Sequence, residues 1–428
     1  MKDVYLIDGN RTPFIRALGV LNPWSASDLA VASLQSLFSK IPIDINNVGE
    51  VITGCVAPSA DEANIGRIIA LRSGCKDSVT GWTVQRNCAS GLQAIDCGVK
   101  DILNGRHDFV IAGGTEAMSR APLLFKSAMV KWLINLNKSK TLATKAKTAL
   151  DFRPHFLAPV ISLLKGLTDP LVNMSMGQTA EKLAYLFDIT RSEMDEFALK
   201  SHEKAILAQS NGMLDSELSP LVSFNGQSIL SDNGVRKDSS LERLAKLKPV
   251  FDRPYGMVTA GNSSQLTDGA AFVLLASGDA VAKHGLKPIA KVLDFAWSGL
   301  DPTIMGLGPA YAIRDLLLKN KMSVNDIDFW EINEAFAAQV ISCTRTLSDS
   351  AKCKEYLGTD EIAGKIKEEC LNVDGGAIAL GHPVGASGAR ITLHLARVLE
   401  RNNAKLGVAS LCIGGGQGGA VLIERVEG

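Results

Sequence analysis

A cysteine placed just before a predicted helix is the first residue of the chain that could do chemistry. Cys88 stands in the run Asn-Cys-Ala-Ser-Gly-Leu at 87–92, after a predicted strand over residues 80–85. Backbone N–H groups and the helix dipole at such a junction stabilise a thiolate, and small neighbours let a substrate approach. A nucleophile with N–H donors beside it for an oxyanion is what acyl transfer requires. A buried structural cysteine is the alternative interpretation of this segment.

A histidine within a glycine-rich segment is the second candidate. Residues 375–388 read Gly-Gly-Ala-Ile-Ala-Leu-Gly-His-Pro-Val-Gly-Ala-Ser-Gly, and His382 lies in a predicted turn before a helix. Isolated histidines are usually structural, but a core histidine would not require the space that five glycines and three alanines leave here. We therefore favour a general base at His382.

A second cysteine precedes another glycine-rich loop. Residues 412–419 read Cys-Ile-Gly-Gly-Gly-Gln-Gly-Gly, between predicted strands over 406–411 and 420–424. A dinucleotide-binding loop leads into a helix rather than a strand, so nicotinamide binding is rejected. We interpret these glycines as a tight backbone turn past a second reactive thiol, Cys412.

An amide and a carboxylate follow the strand predicted over residues 327–332. Asn333 and Glu334 stand at its carboxyl end, which is where the strands of α/β sheets place groups that bind ligands. Asn333 can hold a water molecule or a carbonyl oxygen, and Glu334 can orient its neighbours.

The composition is that of a soluble globular protein. Hydrophobic residues make up 46% and charged residues 21% of the 428 residues, a length that favours two or more domains. The 45 basic and 45 acidic residues balance, so the overall charge gives no reason to expect nucleic-acid binding. No run of about 18 apolar residues predicts a transmembrane helix. The N-terminal run Met-Lys-Asp-Val-Tyr-Leu-Ile-Asp lacks the apolar core of an export signal, so a cytoplasmic protein is expected.

The cysteine spacing argues against disulfides and zinc. Eight cysteines are spread along the chain without close pairs. A large chain with no export signal is expected to keep them reduced. Zinc requires clustered ligands such as a Cys-x-x-Cys pair, so no metal site is expected.

Strand and helix patterns alternate in both the first and the last third of the chain. Strands are predicted over 4–7, 48–53, 80–85, 108–112, 288–295 and 327–332. Such a βαβ-type series implies a parallel sheet covered by helices on both faces. The run Ala-Ser-Gly begins one predicted helix at residue 89 and another at residue 386, which indicates a duplication about a pseudo-twofold axis.

A different pattern separates these two parts, at about residues 119–255. Six apolar residues at helical spacing predict one amphipathic stripe: Phe125, Met129, Trp132, Leu136, Ala143 and Leu150. Residues 125–165 carry seven lysines and one arginine against one acidic residue. One interpretation is a solvated helix face, and the other is a surface for an acidic partner protein or anionic lipid headgroups.

Taken together, the chemical segments resemble the thiolase family. The blocks at 87–91, 333–336, 381–388 and 412–418 occur in the family order and span the chain, and residues 176–181, 258–264 and 305–309 are similar too. The resemblance implies an α/β thiolase fold, with two duplicated βαβ-type halves in a layered αβαβα arrangement and a mostly helical loop domain. It implies an N-terminal half over 1–118, completed by about 256–285, a loop domain over 119–255 for coenzyme A and partner contacts, and a C-terminal half over 286–428.

The resemblance also implies catalytic roles. Cys88 resembles the acylated nucleophile, His382 the base that activates it, and Cys412 the acid/base at the α-carbon of acetyl-CoA. Asn333 with a water, beside His382, resembles the site for the enolate oxygen. The backbone N–H groups of Cys88 and Gly414 resemble a second oxyanion hole. A Claisen condensation or its reverse is therefore implied, with acyl-CoA and coenzyme A as substrates and no permanently bound cofactor.

Substrate contacts follow from the same resemblance. Arg236, Ser264 and Phe336 fall at positions that contact coenzyme A, and Met176 and Met305 fall beside the acyl pocket. Within the family, residues 133–165 and 232–255 resemble the β-subunit thiolase of fatty-acid-oxidation trifunctional complexes. That subunit commonly has His-Glu-Ala-Phe where this chain has Asn-Glu-Ala-Phe.

The function implied is cleavage of 3-ketoacyl-CoA in fatty-acid β-oxidation, with a biosynthetic acetoacetyl-CoA thiolase as the alternative. A ketoacyl synthase is disfavoured because Ala377 occupies the position of its lysine. A non-catalytic acyl-CoA carrier is disfavoured because the reactive residues are retained. The family expectation is a homodimer or a dimer of dimers. A hydratase/dehydrogenase α-subunit or an anionic membrane surface is the partner expected at residues 125–165, and no nucleic acid is expected.

Overall fold

A computed structural model describes residues 3–17, 22–222, 226 and 228–426, so the chain ends at residues 1–2 and 427–428 lie outside it. Its strands are β1 Val4–Arg11, β2 Ile15–Arg16, β3 Glu50–Gly54, β4 Thr80–Val84, β5 Phe109–Ala117, β6 Leu123–Leu124, β7 Val160–Ile161, β8 Leu221–Val222, β9 Ser228–Ile229, β10 Thr267–Ser277, β11 Ala290–Gly299, β12 Phe329–Ile332, β13 Leu406–Ile413 and β14 Gln417–Arg425. Its helices are α1 Ala26–Lys40, α2 Ile65–Arg72, α3 Ser90–Leu103, α4 Ser127–Lys138, α5 Leu142–Leu150, α6 Ser162–Gly166, α7 Met176–Leu186, α8 Arg191–Ser210, α9 Leu241–Ala245, α10 Gly278–His284, α11 Gly308–Asn320, α12 Ala337–Ser348, α13 Ser350–Lys352, α14 Ala377–Leu380 and α15 Ser387–Arg401.

One large sheet organises these elements, in the order β12-β13-β14-β11-β1-β10-β5-β3-β4. Its outer parts are parallel, since β3 pairs with β4 and β5, and β12 pairs with β13. The prediction of a parallel sheet is wrong for the central strands, because β10, β1, β11 and β14 all pair antiparallel. A continuous apolar run indicates burial on both faces and carries no information about the direction of the neighbouring strand.

The two halves of the sheet repeat the same order. The first half runs β4-β3-β5-β10-β1 and the second runs β12-β13-β14-β11, with β1 and β11 joining them. Leu371 forms a parallel bridge to Trp330 of β12 at the edge of the second half. This bridge corresponds to the pairing of β4 with β3 at the edge of the first half. This correspondence agrees with the predicted duplication.

Helices α3 and α15 occupy equivalent places in the two halves and pack against each other. A Cβ added to Gly91 would lie 2.8 Å from the Gly385 carbonyl oxygen, and one added to Gly388 would lie 2.5 Å from the Leu92 nitrogen. Each helix therefore needs glycine where it meets the backbone of the other segment. The Ala-Ser-Gly runs of the sequence mark this contact.

Three buried apolar layers surround the sheet. Successive side chains of a strand point to opposite faces of the sheet. Val110 and Val273 therefore lie in a central layer with α3 and α15, whereas Ile111 and Leu274 lie in an outer layer with α1. A second outer layer contains α7, α11 and α12. The apolar face of α3 predicted from helical spacing lies in the central layer, with Leu92, Ile95, Val99 and Ile102. Both halves of the sheet contribute residues to the central layer, so they lie on either side of α3 and α15 and the layers run αβαβα.

The apolar stripe predicted between Phe125 and Leu150 forms two helices instead of one. Helix α4 ends at Lys138, and α5 begins at Leu142 because the Thr141 side chain accepts a hydrogen bond from the Thr144 N–H and caps it. The two helices are joined where Trp132 Nε1 donates to the Thr148 carbonyl at 2.8 Å. The prediction of a single stripe is wrong, since a capping threonine interrupts it. The boundaries expected for the loop domain stay a prediction.

A buried network of ion pairs connects β1, the loop region and α15. Arg11 contacts Glu217 at 2.6 Å and Asp232 at 2.7 Å, and His394 contacts Glu217 at 2.9 Å and Asp374 at 3.2 Å. Burial alone would lower the pKa of His394, but these carboxylates overcome it and raise the pKa to about 10. The imidazole is therefore charged at neutral pH.

We expect His394→Ala to lower the free energy of unfolding by about 3–5 kcal/mol at pH 7, because two buried carboxylates lose a cation. The stabilisation is complete below the ordinary histidine pKa of 6.5 and is lost as the pH rises through about 10. Urea unfolding at pH 7 and pH 10.5 measures both effects. Lys405→Ala, which removes an exposed ion pair to Glu424, is the control and should change little. A difference from wild type that stays constant between the two pH values would contradict a charged His394.

Candidate active site

Cys88 lies in a tight turn between β4 and α3. The turn is closed by hydrogen bonds from the Arg86 N–H to Ser90 Oγ at 2.9 Å and from Ser90 Oγ to the Asn87 carbonyl at 2.7 Å. Asn87 has a φ of 44°, a left-handed conformation that asparagine tolerates better than most residues. The helix begins at Ser90, two residues after Cys88, and Cys88 lines a cavity.

The turn between β13 and β14 lies against Cys88. Gly415 and Gly416 have φ values of 92° and 78°, which allow the reversal. Asn87 Nδ2 donates to the Gly414 carbonyl at 2.7 Å and fixes the two turns together. The backbone N–H groups of Gly414 and Cys88 act on the Cys88 sulfur. Two N–H donors are thus placed where a carbonyl bonded to that sulfur would need them.

Both thiols are protonated in the free site. Burial raises the pKa of Cys88 to about 11, although the N–H groups of Gly414 and Cys88 oppose the rise. Burial also raises the pKa of Cys412 well above its ordinary value, and the nearby Cys88 charge adds to the increase. Backbone N–H groups therefore favour the Cys88 thiolate, but desolvation outweighs them in the free site. Ionisation of either thiol requires a base.

His382 is a neutral imidazole beside Asn333. Burial lowers the pKa of His382 to about 4, and the charge of Arg390 contributes. Its Nδ1 lies 2.6 Å from Ser387 Oγ, which itself donates to the Pro383 carbonyl at 3.0 Å. Ser387 therefore accepts from Nδ1–H, and we assign the unprotonated nitrogen to Nε2. That Nε2, 3.4 Å from Asn333 Nδ2, can accept a proton.

The Asn333 side chain has an open position for a polar group. Its Oδ1 is buried without a hydrogen-bond partner in the part of the chain that the structure describes. A buried acceptor of this kind needs a hydrogen-bond donor. A water molecule that donates one hydrogen to Oδ1 could donate its other hydrogen to an oxyanion. The neighbouring Glu334 carboxylate holds this segment in place. It accepts hydrogen bonds from Ser201 Oγ at 2.6 Å and from Asn372 Nδ2 at 2.9 Å.

A cavity of about 150 Å³ lies over Cys88. Its described lining residues are Val56, Ala57, Asn87, Cys88, Glu116, Met118, Ala121, Ser162, Leu163, Gly166, Leu167, Thr168, Asp169, Pro170, Met176, Val384, Gly414 and Gly415. Met176, expected beside the acyl pocket, lines this cavity together with Cys88. Met305 does not line the cavity and is buried in the outer layer with α7 and α12.

The residues expected to contact coenzyme A fall into two places. Ser264 and Phe336 are adjacent, since the Ser264 N–H donates to the Ala335 carbonyl at 2.9 Å and Ser263 bridges to Phe336. The Arg236 N–H instead donates to His202 Nδ1 at 3.2 Å, beside α8. Burial and the charge of Arg236 lower the pKa of His202 to about 4, so this imidazole is neutral.

Glu116 is a site residue that the sequence motifs did not single out. Its carboxylate lines the same cavity as Cys88 and is 1% exposed. Burial raises its pKa to about 7. Glu116 is the one charged residue in the run Phe-Val-Ile-Ala-Gly-Gly-Thr-Glu-Ala of β5. A buried strand rarely carries a charge without a function, so this glutamate could have been singled out from the sequence.

Within the described residues, neither a metal site nor a membrane-spanning helix is found. None of their His, Cys, Asp and Glu side chains form a group that could hold a metal ion. None of their helices is long and apolar enough to cross a membrane.

Comparisons with known proteins identify the family of the chain. Residues 4–279 match the family description "Thiolase, N-terminal domain" and residues 286–425 match "Thiolase, C-terminal domain". The mitochondrial trifunctional enzyme subunit beta of Mus musculus is 37% identical over 99% of this chain and 88% of its own length. A beta-ketoadipyl-CoA thiolase of Pseudomonas knackmussii is 38% identical over 99% of this chain and 100% of its own.

Solved structures give the same result. The human mitochondrial 3-ketoacyl-CoA thiolase in complex with CoA has a TM-score of 0.86 at 36% identity, covering 100% of this chain and 98% of its own. The acetyl-CoA acetyltransferase of Bacillus anthracis has a TM-score of 0.86 at 37% identity, covering 100% and 99%. The chain therefore belongs to the thiolase family and is an acyltransferase with the thiolase fold.

Proposed function

We propose that the protein cleaves 3-ketoacyl-CoA with coenzyme A, through an acyl-enzyme on Cys88, in fatty-acid β-oxidation. The observation that carries the proposal is a pair of protonated thiols that interact with each other, Cys88 and Cys412. The neutral His382 lies in the segment that contacts the start of α3 through Gly385 and Gly91. The reaction needs one nucleophile and one separate acid for the carbon that leaves. The family assignment disfavours the ketoacyl synthase, and the retained reactive residues disfavour the non-catalytic carrier.

In the first half-reaction, His382 Nε2 takes the proton of Cys88, and the thiolate attacks the 3-keto carbon. The N–H groups of Cys88 and Gly414 hold the oxygen of the tetrahedral intermediate. The bond between C2 and C3 then breaks, and its electron pair forms the enolate of acetyl-CoA. The Cys412 thiol protonates C2, while the imidazolium and a water on Asn333 stabilise the enolate oxygen.

In the second half-reaction, coenzyme A gives its thiol proton to the Cys412 thiolate and attacks the Cys88 thioester. Acyl-CoA leaves, and the Cys88 thiolate recovers its proton from His382, so the protons balance. The raised pKa values of both thiols suit this sequence, since each thiol has to be reprotonated before the next turnover. An acetoacetyl-CoA thiolase working in synthesis would use the same steps in reverse. Ser264, Phe336 and Arg236 are proposed to contact coenzyme A.

We expect Cys88→Ser to abolish acyl-enzyme formation while the fold is kept, because only the nucleophile is lost. Cys412→Ala should retain the exchange of label between acetyl-CoA and coenzyme A, because no enolate forms in that exchange and His382 alone can carry the proton between the Cys88 thiol and coenzyme A. Its carbon–carbon bond formation should fall by about 10²- to 10⁴-fold. Label exchange and acetoacetyl-CoA synthesis measure the two reactions separately.

Cys370→Ala is the matched control, since this partly exposed thiol lies outside the site, and it should match wild type in both assays. Label exchange that persists in Cys88→Ser would exclude Cys88 as the acylated residue. An equal loss of both reactions in Cys412→Ala would exclude a selective role at the α-carbon.

The charge of the cavity over Cys88 favours an uncharged acyl group. Its described lining holds two acidic residues, Glu116 and Asp169, and no lysine, arginine or histidine. The rest is largely apolar, including Val56, Leu163 and Leu167. A 3-ketoadipyl group would place its one free carboxylate in this cavity without a cation, which is costly. This supports a fatty 3-ketoacyl substrate over the ketoadipyl substrate that the name of the Pseudomonas relative states.

We expect kcat/KM for thiolysis of 3-ketooctanoyl-CoA to exceed that of 3-ketoadipyl-CoA by about 10²- to 10³-fold, the cost of an unpaired buried charge. Leu163→Lys should narrow the ratio by supplying a cation inside the cavity. Leu164→Lys is the matched control, because Leu164 is 58% exposed and does not line the cavity. Equal cleavage of the two substrates by the wild-type protein would contradict the proposed substrate class.

We also propose that residues 125–165, here called the basic hairpin, dock a partner. Its seven lysines and Arg153 have no acidic partner among the ion pairs of the described residues. Apolar side chains are exposed beside them, among them Phe125 at 54%, Leu142 at 88% and Leu150 at 80%. Apolar contact edged by cations suits either a hydratase/dehydrogenase α-subunit with an acidic face or an anionic membrane surface. The name of the Mus musculus relative, subunit of a trifunctional enzyme, supports an assembly.

A homodimer or a dimer of dimers stays the proposed state of the protein itself. The cytoplasm stays its proposed location, although the Mus musculus relative is mitochondrial by name.

We expect replacement of Lys131, Lys138, Lys145 and Lys147 by Glu to abolish co-sedimentation with phosphatidylglycerol vesicles or co-purification with an α-subunit. Thiolysis of acetoacetyl-CoA should be unchanged, since the four lysines lie outside the cavity. Wild-type binding should weaken with salt through the physiological range, where charges are screened over about 8 Å.

Replacement of four exposed lysines on other elements by Glu is the matched control, since it changes the net charge equally: Lys76, Lys283, Lys287 and Lys321. Loss of binding in both variants would indicate a general charge effect. Absence of both associations at low salt in the wild type would leave the basic hairpin as a solvated surface.

A further inference from the structure

Glu116 lies at a junction of three segments that surround Cys88. Its carboxylate accepts hydrogen bonds from the backbone N–H groups of Val56 and Ala57, each at 2.9 Å, and of Gly385 at 3.0 Å. The Cys55 thiol lies 3.7 Å from the same carboxylate. No basic side chain forms an ion pair with Glu116 within the described ranges.

Each of the segments tied by Glu116 belongs to the site. Val56 and Ala57 follow β3 and line the cavity that contains Cys88. Gly385 lies three residues after His382, in the segment that leads into α15. Glu116 therefore connects one wall of the cavity to the segment that carries the imidazole.

The segments meet as closely as backbone allows. A Cβ added to Gly385 would lie 2.5 Å from the Thr115 carbonyl oxygen, 2.8 Å from Glu116 Oε2 and 3.0 Å from the Gly54 carbonyl oxygen. A Cβ added to Gly114 would lie 1.9 Å from the Gly385 carbonyl oxygen. The ends of β3 and β5 thus contact the segment after His382 directly, and the Glu116 carboxylate lies within this contact.

A carboxylate in this place is unfavourable by itself. Burial raises the pKa of Glu116 to about 7, and the charge of Glu116 raises the pKa of the nucleophile Cys88. A glutamine would avoid the charge, but its amide has one acceptor oxygen and its NH₂ group would face a third N–H donor. Three backbone donors that converge on one point are satisfied by an acceptor-only group. The titratable groups that face the carboxylate are the Cys55 and Cys88 thiols, with Glu62 beyond Cys55.

We propose that Glu116 is a positioning residue for acyl transfer, holding the Val56–Ala57 loop and the segment from His382 to Gly385 on either side of the Cys88 thiol. The proposal rests on the proposed roles of Cys88 and His382. Glu116 acts through these two segments and through its charge, and it takes no proton from the substrate.

Three variants test this role. In Glu116→Gln, kcat for acetoacetyl-CoA thiolysis should fall by about 10- to 100-fold, the range for a lost charge-assisted hydrogen bond. KM for coenzyme A should stay within about twofold, because Glu116 does not touch the segments proposed to bind it. The pH midpoint for alkylation of Cys88 by iodoacetamide, followed by peptide mass mapping, should move to lower pH, because the negative charge beside the thiol is removed.

Glu116→Asp and Gly385→Ala separate position from charge. The aspartate keeps the charge but is too short to reach both segments, and the alanine displaces the Gly385 N–H. Both should lower kcat while the alkylation midpoint of Cys88 stays at the wild-type value. They also decide the question if Glu116→Gln does not fold, since wild-type kcat in both would overturn the proposal.

Glu62→Gln is the matched control. Glu62 is a buried glutamate that also accepts a backbone N–H bond, from Ser27 at 2.8 Å, and it does not line the cavity. Its substitution should lower thermal stability without changing kcat per folded molecule. The same behaviour in Glu116→Gln, with an unchanged alkylation midpoint, would show a purely structural role and overturn the proposal. Failure of the wild-type protein to cleave both acetoacetyl-CoA and 3-ketooctanoyl-CoA would instead refute the proposed function.

Discussion

The contact between α3 and α15 is the constraint on which the site depends. Each helix starts just after a residue with chemistry, Cys88 before α3 and His382 before α15, and the two are close because their helices touch through glycine. Gly91 and Gly388 leave no room for a Cβ at this contact. A larger residue at either position would move both the nucleophile and the base. The duplication of the fold thus brings together two residues that are 294 positions apart in the chain.

Burial then decides the chemistry of the groups brought together. In water a thiol and an imidazole exchange protons near neutral pH, but here desolvation raises the pKa of Cys88 and Cys412 and lowers that of His382. All three groups are neutral in the free site. Charge is formed only when a substrate supplies an electrophile, and the N–H groups of Cys88 and Gly414 are already oriented to stabilise it.

Two buried carboxylates hold the backbone segments that form the site. Glu116 holds backbone segments beside Cys88, and Glu334 holds the Asn333 segment through Ser201 and Asn372. Both carboxylates have a raised pKa because they are buried. Away from the site, the network around His394 and Glu217 joins α15 to the loop region that covers the cavity. Buried polar contacts of this kind fix the position of the segments that carry the reactive residues. They lower the free energy of unfolding, because charged groups are removed from water.

The sequence by itself predicted most of the large sheet and singled out the candidate reactive residues. Eight of the nine strands in the order of the sheet and the apolar face of α3 were predicted from local spacing, but β10 was not. Residue type and spacing also singled out the four blocks around Cys88, Asn333, His382 and Cys412. The tertiary structure alone decided the antiparallel centre of the sheet, the break at Thr141, the burial of Met305 away from the cavity and the contacts of Glu116. Strand direction, desolvation and hydrogen bonds such as that from Gly385 to Glu116 depend on residues far apart in the chain. Local patterns carry no information about such contacts.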